Sequence, residues 1–407
     1  MADSGFVAGL SVLRHRNVAC LFLAYLVTHT GTAMAPIAMA FGLLEMTGST
    51  RASGLVVAAP TAAGVVVLLL GGAIADRTSR KRVIVFAESL AMAAQLSIAG
   101  LLLTDTATIP LLTLLMLVNG TAMAFNAPAS SGLIVQIVDR EELQAANALL
   151  GMARNSAVAV GATLGGLLVA FVGAGWTLAI DGLSFGASAL LVASMRPRAQ
   201  RTAPSASMID DLRQGAREFF SHTWLWVIVA QFSLLVAVQE STFGLLGPAV
   251  ARNTLGGATA WGSIAGLAGV GTLIGGLISL RVRPRYPMRT GTLLTFTFAM
   301  IPLALSVPLP THWIGAIAFV QGITGSIFGV LWYTTVQKKV PEEMLSRVGA
   351  YDHLGSIALA PIAVVVTGIL FEEIGARSTM LLCAAAVLAP SLAAFAVHDV
   401  RHMTTDE

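Results

Sequence analysis

Twelve apolar stretches, each long enough to cross about 30 Å of hydrocarbon as a helix, punctuate this 407-residue chain at roughly 18-46, 53-75, 83-104, 109-133, 145-172, 176-194, 224-250, 260-280, 289-308, 312-336, 346-371 and 378-397. Inside lipid every backbone N–H and C=O must find a partner within the protein, and single segments of this length achieve that only as helices. The pattern therefore predicts an all-α membrane protein of twelve transmembrane helices. Composition agrees: 56% of residues are hydrophobic and 11% charged, against about 25% charged in soluble domains, so lipid must supply much of the solvent.

The net charge of +3 does not point to nucleic acid, because the 24 Lys and Arg sit in short clusters between apolar stretches rather than along one face. With the N-terminus inside, 20 of these 24 fall in cytoplasmic segments, while only Arg51, Arg252 and Arg377 fall outside and Arg154 lies within a span. Cytoplasmic loops carry an excess of Lys and Arg, so both termini are expected in the cytoplasm and the protein in the inner (plasma) membrane. Arg14 and Arg16 precede an apolar stretch with no small-residue cleavage pattern, which reads as an uncleaved first span. Cys20 and Cys383 lie in the first and last apolar segments and read as packing residues.

The longest interruption divides the spans six and six, giving an N-terminal bundle over 1-195, a cytoplasmic linker over 196-222 and a C-terminal bundle over 223-407. Within the linker Ile209, Leu212, Ala216 and Phe219 recur at helical spacing opposite Asp210, Arg213, Arg217 and Glu218, which predicts a short amphipathic helix on the membrane face. The halves echo each other: Gln136, Glu141 and Glu142 recur 201 residues later as Gln337, Glu342 and Glu343, and Gly71-Gly72 with Arg77 recurs 204 residues later as Gly275-Gly276 with Arg281. Two pseudo-symmetric repeats are the layout in which a site between repeats is exposed alternately to each side.

Between spans two and three stands Gly72-Ala-Ile-Ala-Asp76-Arg77-Thr-Ser-Arg80-Lys81-Arg82. Gly72 permits close helix approach, Asp76 can meet a helix N-terminus or an arginine, and the basic cluster suits the headgroup zone. Here the chain resembles the major facilitator superfamily, whose loop at this position reads G-x-x-x-D-R-x-G-R-R/K; Ser79 replaces the second glycine. The resemblance spans essentially the whole chain and is nearest the branch of siderophore exporters and macrolide or drug efflux pumps. It is carried further by Asn126-Ala-Pro128-Ala, by Val138-Asp-Arg-Glu141-Glu142-Leu-Gln-Ala-Ala-Asn147, by Asp211-Leu-Arg-Gln-Gly215-Ala-Arg217-Glu-Phe and by Val340-Pro341-Glu342-Glu343-Met-Leu-Ser-Arg347-Val. It implies two six-helix bundles, a conformational-switch role for Gly72, Asp76, Arg77, Arg80 and Lys81, and protons as the coupling partner. Span five carries Gly161, Gly165 and Gly166 in a run similar to the antiporter signature of exporters in this superfamily, with Ala162 in place of its proline; small residues at this spacing allow close helix packing. Span four lacks the arginine that many antiporters of the superfamily place there, and Arg154 in span five is the nearest alternative, either as an anion contact or snorkelling toward the headgroups.

Polar stripes mark the expected cavity. Tyr25, His29, Thr32 and Pro36 in span one, and Asn119, Met123, Asn126 and Ser130 in span four, repeat at i, i+4, i+7, i+11 and so share a helix face. Span seven offers Phe232, Gln239, Glu240 and Phe243, and span ten offers Gln321, Thr324, Phe328 and Trp332. Polar groups in a bilayer are costly unless they face a bundle interior or water, so these stripes are expected to line a substrate cavity, as the resemblance also implies for these spans. Aromatic, Met and amide groups together suit a bulky amphipathic solute. Glu240, the one carboxylate of span seven, and His29, with an ordinary pKa near about 6.5, are the candidate proton carriers. Glu88, Asp181, Asp352 and His353 read as structural groups nearer the span ends, with salt bridges expected for Glu88, Asp352 and His353.

No P-loop pattern and no H-E-x-x-H or nucleophile–base constellation occurs, so neither ATP-driven transport nor an enzyme is expected, and no metal or cofactor is called for. The chain reads as a monomeric secondary transporter whose partners are a small-molecule substrate, protons and the lipid bilayer, working by efflux; an importer or proton symporter, or a non-transporting sensor of the same fold, stands as the alternative. Asp76→Asn should slow transport while leaving insertion and folding intact, since the contact it breaks is worth roughly a few kcal/mol at most. An unchanged rate in reconstituted protein would remove the switch reading.

Overall fold

The computed structural model describes residues 12–70, 79–139, 142–197 and 208–404. Among them there is no β-strand. The helices are α1 (Arg16–Thr47), α2 (Thr50–Leu70), α3 (Arg80–Leu103) and α4 (Ile109–Ile134), followed by one helical run, Leu143–Ala193. That run has 51 residues, about 76 Å at 1.5 Å per residue, far more than one bilayer needs. It is broken at Gly173, whose φ of 87° and ψ of 168° are non-helical and which only glycine adopts readily. It therefore supplies two spans, α5 (143–172) and α6 (174–193), where the sequence places spans five and six.

α7 (Met208–Ser221) is the amphipathic helix of the linker. Then come α8 (Thr223–Leu255), α9 (Ala258–Ser279), α10 (Pro287–Leu305), α11 (Thr311–Lys339), α12 (Arg347–Glu373) and α13 (Gly375–Ala396), with a short α14 (His398–His402). Eleven helical segments are long and apolar enough to cross a membrane, and the break at Gly173 makes the spans twelve. Phe171, Leu190, Leu280 and Phe86 leave 70% or more of their surfaces uncovered, an exposure that water would penalise and lipid does not.

Two compact units form, one from the described residues of Met1–Gly42 and Ala59–Pro204, the other from Leu43–Ala58 and Ser205–Glu407. Unit 1 has an apolar core of Val18, Leu21, Ile84, Leu133, Leu150 and Val192. Unit 2 is centred on Trp224, Ile228, Met288, Phe328, Trp332 and Val348. α7 docks on α12: Phe219 is buried and lies 5.9 Å from the Tyr351 ring, and Arg347 Nη1 donates to Gln214 Oε1 at 2.9 Å. The turn between α1 and α2 belongs to unit 2. There Glu372 Oε1 on α12 accepts from Ser49 Oγ at 2.7 Å and from the Arg51 N–H at 3.0 Å, a carboxylate cap on the N-terminus of α2.

Small residues set the closest approaches. A Cβ at Gly271 or Gly275 of α9 would overlap the Phe319 or Ile323 carbonyl of α11, and one at Gly322 would overlap the Ala268 carbonyl, so these helices meet backbone to backbone. In unit 1, a Cβ at Gly161 would overlap the Thr30 carbonyl, and one at Gly165 would stand 2.8 Å from Met34 Cα. Gly166 is buried beside them. Gly165→Leu should force α5 away from α1 and cost about 1–3 kcal/mol, measured as a lower unfolding temperature in detergent. An unchanged Tm would mean the two helices are not in tight contact there.

Candidate functional sites: two lined cavities

Unit 1 encloses a cavity of about 450 Å³ whose wall includes Tyr25, Thr28, His29 and Thr32 of α1, Glu88 of α3, Met123, Asn126 and Ser130 of α4, Arg154 of α5 and Ser188 of α6. The helical periodicity that the sequence displays in α1 and α4 thus delivers three residues of each stripe to one space. Tyr25 meets His29 edge to face, with ring centroids 5.2 Å apart and planes at 84°.

At the cavity wall stands a polar network. Asn126 Nδ2 donates to Glu88 Oε1 at 2.7 Å, Thr28 Oγ1 to Glu88 Oε2 at 3.4 Å, and Ser130 Oγ to Asn126 Oδ1 at 2.6 Å. Glu88 is 3% exposed. The ion pair expected for Glu88 is not what the structure shows: its partners are neutral donors from other helices. Six residues separate it from Arg82, which turns the two side chains about 240° apart around α3 and off any shared face. Deeper in, Asp181 is 1% exposed, and its Oδ1 has no hydrogen-bond partner among the described residues. It faces Gly31, where a Cβ would come within 2.7 Å of that same oxygen. Asp181 lies eight residues beyond the Gly173 break, about 12 Å along α6, and so well inside the span rather than at its end.

Unit 2 encloses a second cavity of about 640 Å³, lined among others by Phe232, Gln239 and Phe243 of α8, Phe298 of α10, Gln321, Phe328 and Trp332 of α11, and Asp352 and His353 of α12. Phe232 and Phe328 stack with centroids 4.5 Å apart at 15°, and Phe328 and Trp332 lie 6.3 Å apart at 12°. Gln321 Nε2 donates to Gln239 Oε1 at 2.7 Å, and Trp332 Nε1 donates to Asp352 Oδ2 at 3.0 Å. Asp352 is therefore a cavity residue held by an indole N–H, not the partner of Arg347, whose guanidinium turns to Gln214.

Of the residues expected to line a cavity, four do not: Pro36, Asn119, Glu240 and Thr324, the last of which pairs with the Thr297 hydroxyl at 2.6 Å. Asn119 donates instead to Gln95 Oε1 on α3 at 3.2 Å, because a buried Gln one helix away satisfies its amide better than an open space does. Glu240 is exposed and absent from the cavity wall; consecutive helical residues point about 100° apart, so when Gln239 enters the cavity its neighbour turns away. Of the switch motif, Gly72, Asp76 and Arg77 lie outside the described residues. Lys81 Nζ donates to the Met195 carbonyl at 2.7 Å, and the Arg80 guanidinium packs against Gly132. Glu88, Asp181 and Asp352 are the functional candidates that sequence reasoning underrated. For Glu88 depth within the span was the available signal, since it stands eight residues, about 12 Å, past the start of α3.

A chain of twelve membrane-crossing helices, with polar-lined cavities inside its units, is a multi-pass membrane protein of the transporter class. The Major Facilitator Superfamily pattern matches residues 21–357, and the chain belongs to that family. It is 25% identical over 354 residues to the enterobactin exporter EntS of Escherichia coli O1:K1 / APEC, covering 86% of this chain and 84% of that one, and equally similar to EntS of Shigella boydii serotype 18. Among solved structures, the nucleoside transporter NupG superposes with a TM-score of 0.74 at 14% identity, covering 93% of this chain and 98% of that one. A bacterial homolog of the human lysosomal transporter Spinster, in an inward-facing and unoccupied conformation, superposes with a TM-score of 0.71 at 16% identity, covering 94% and 96%. Both likenesses concern the fold.

Asn126→Ala should remove the short bond to Glu88 and leave a buried carboxyl oxygen without its donor, at a cost of about 1–3 kcal/mol. In a double-mutant cycle with Glu88→Gln, the combined loss of thermal stability should fall short of the sum of the single losses. Strict additivity would show that the two side chains are not coupled.

Proposed function

We propose that this transporter is a proton-coupled exporter of an amphipathic small molecule, such as a drug, a siderophore or a secondary metabolite, working by alternating access. The observation that carries the reading is the unit 2 cavity, where stacked Phe and Trp rings adjoin a Gln239–Gln321 amide pair. Such a lining holds a solute with an apolar body and a few polar groups, and it suits neither a sugar nor a small ion. Export is favoured by the similarity to the enterobactin exporters and by the glycine run of α5; similarity to a nucleoside transporter in fold alone carries no substrate with it.

Protons are the proposed coupling ion. Glu240 and His29 remain candidates to carry them, and to these we add Glu88, which is buried in a cavity wall among hydrogen-bonding partners whose bonds change when it gains or loses a proton. Gln in place of Glu keeps size and much of the hydrogen bonding but does not titrate. Glu240→Gln and Glu88→Gln, each in proteoliposomes with an imposed pH gradient, should therefore separate the carriers: the true one loses uphill transport and retains substrate binding.

Direction is tested in cells. Expression should lower the accumulation of an amphipathic toxic compound, and collapse of the proton gradient should restore it. Gradient-dependent gain of the compound would establish the importer reading, and no effect with any compound in a broad panel would favour a sensor.

A further inference from the structure

Unit 2's cavity contains an unmet hydrogen-bonding demand next to a set of parallel rings. Gln321 is 4% exposed, and its Nε2 is spent on Gln239. Its Oε1 is buried yet accepts no hydrogen bond among the described residues. A buried carbonyl oxygen without a donor is costly enough that folded proteins rarely leave one. Because Gln239 uses its Oε1 as the acceptor, its Nε2 is left as the donor of the pair. The two amides thus present an acceptor and a donor side by side. The cavity's carboxylate makes no comparable demand, since Asp352 already accepts from Trp332 Nε1.

The aromatic part is equally specific. Phe232, Phe328 and Trp332 lie within 15° of parallel from one ring to the next. A flat ring extends such a series at ordinary stacking distances, whereas a saturated ring of the same size cannot. The geometry points to a subsite in unit 2 for a planar, uncharged aromatic ring bearing an N–H or O–H beside a carbonyl. The ring extends the series at its Phe232–Phe328 end, and its polar edge meets Gln321 Oε1 and Gln239 Nε2. This rests on the transporter reading above and narrows it from amphipathic solutes in general to one recognition chemistry.

Carbostyril, a flat bicyclic lactam, carries that edge. Its N-methyl derivative keeps the ring and loses the donor, and its perhydro analogue keeps the lactam and loses planarity. Equilibrium binding of the three to the purified chain in lipid nanodiscs requires no gradient and no turnover. Carbostyril should bind about tenfold more tightly than either analogue, the ratio one well-formed hydrogen bond or one stacking contact supplies. Gln321→Met should erase the preference over the N-methyl derivative while leaving the preference over the perhydro analogue. Phe232→Leu should do the reverse, and because Phe232 is only partly buried this variant avoids the packing loss expected at Phe328.

Equal affinity for all three compounds, or none for any up to their solubility, would overturn the subsite; in the second case water fills the place beside Gln321. The export reading fails separately. Discriminating binding without any gradient-driven movement in vesicles would sink export and leave the subsite standing, and efflux of other amphipathic compounds without this discrimination would do the opposite.

Discussion

Everything in this structure answers to the requirement that backbone amides in hydrocarbon be satisfied without water. Each unsatisfied group there costs several kcal/mol, so the chain has only helices to build with, and among the described residues of the spans irregular backbone is confined to a few places. Gly173 is the sharpest of these. Others are the π turns Thr242–Leu246 and Ala251–Leu255 within α8, and prolines 36, 60 and 390 within α1, α2 and α13. Serine and threonine hydroxyls follow the same rule by folding back onto their own helix, as Ser241 does to the Ala237 carbonyl and Thr335 to Leu331.

With no water to drive helices together, packing must do so, and glycine is what permits it. The α9–α11 seam at Gly271, Gly275 and Gly322 and the α1–α5 seam at Gly161 and Gly165 bring backbones into direct contact. Tight seams leave room elsewhere, and the polar side chains collect in that room. Gln231 holds Thr295 and Ser391 through its Nε2 in a buried position, and its Oε1, like that of Gln321, accepts no hydrogen bond among the described residues; of these two amides, Gln321 is the one that lines the cavity.

The span count, the paired spans at 143–193, the amphipathic α7 and the stripe on α1 were legible in the sequence because each depends on periodicity and length, which are local. Tyr25, His29, Thr32, Met123 and Asn126 reach one cavity as the spacing implied. Asn119 and Glu240 did not follow, for a reason periodicity does not contain. Which of several inward-tending polar groups meets open space is decided by the neighbouring helix, and Gln95 claims Asn119 from 24 positions away. Glu88 was obscured in the same way. Its proximity to basic residues in the sequence suggested an ion pair, while its actual partners, Thr28 and Asn126, come from 60 residues before it and 38 after it.

The break at Gly173 bears on how the protein is made. α5 and α6 are joined by a single non-helical residue at φ 87°, so there is no loop to carry a charge signal or to be threaded separately. Two spans linked this closely must enter the bilayer as one hairpin, α5 with Gly161 and Gly165 turned to α1 and α6 with its glycines turned to α3. Asp181, too polar to enter hydrocarbon alone at low cost, faces Gly31 of α1, a helix made before it, so the order of synthesis itself supplies this buried carboxylate with a packing partner.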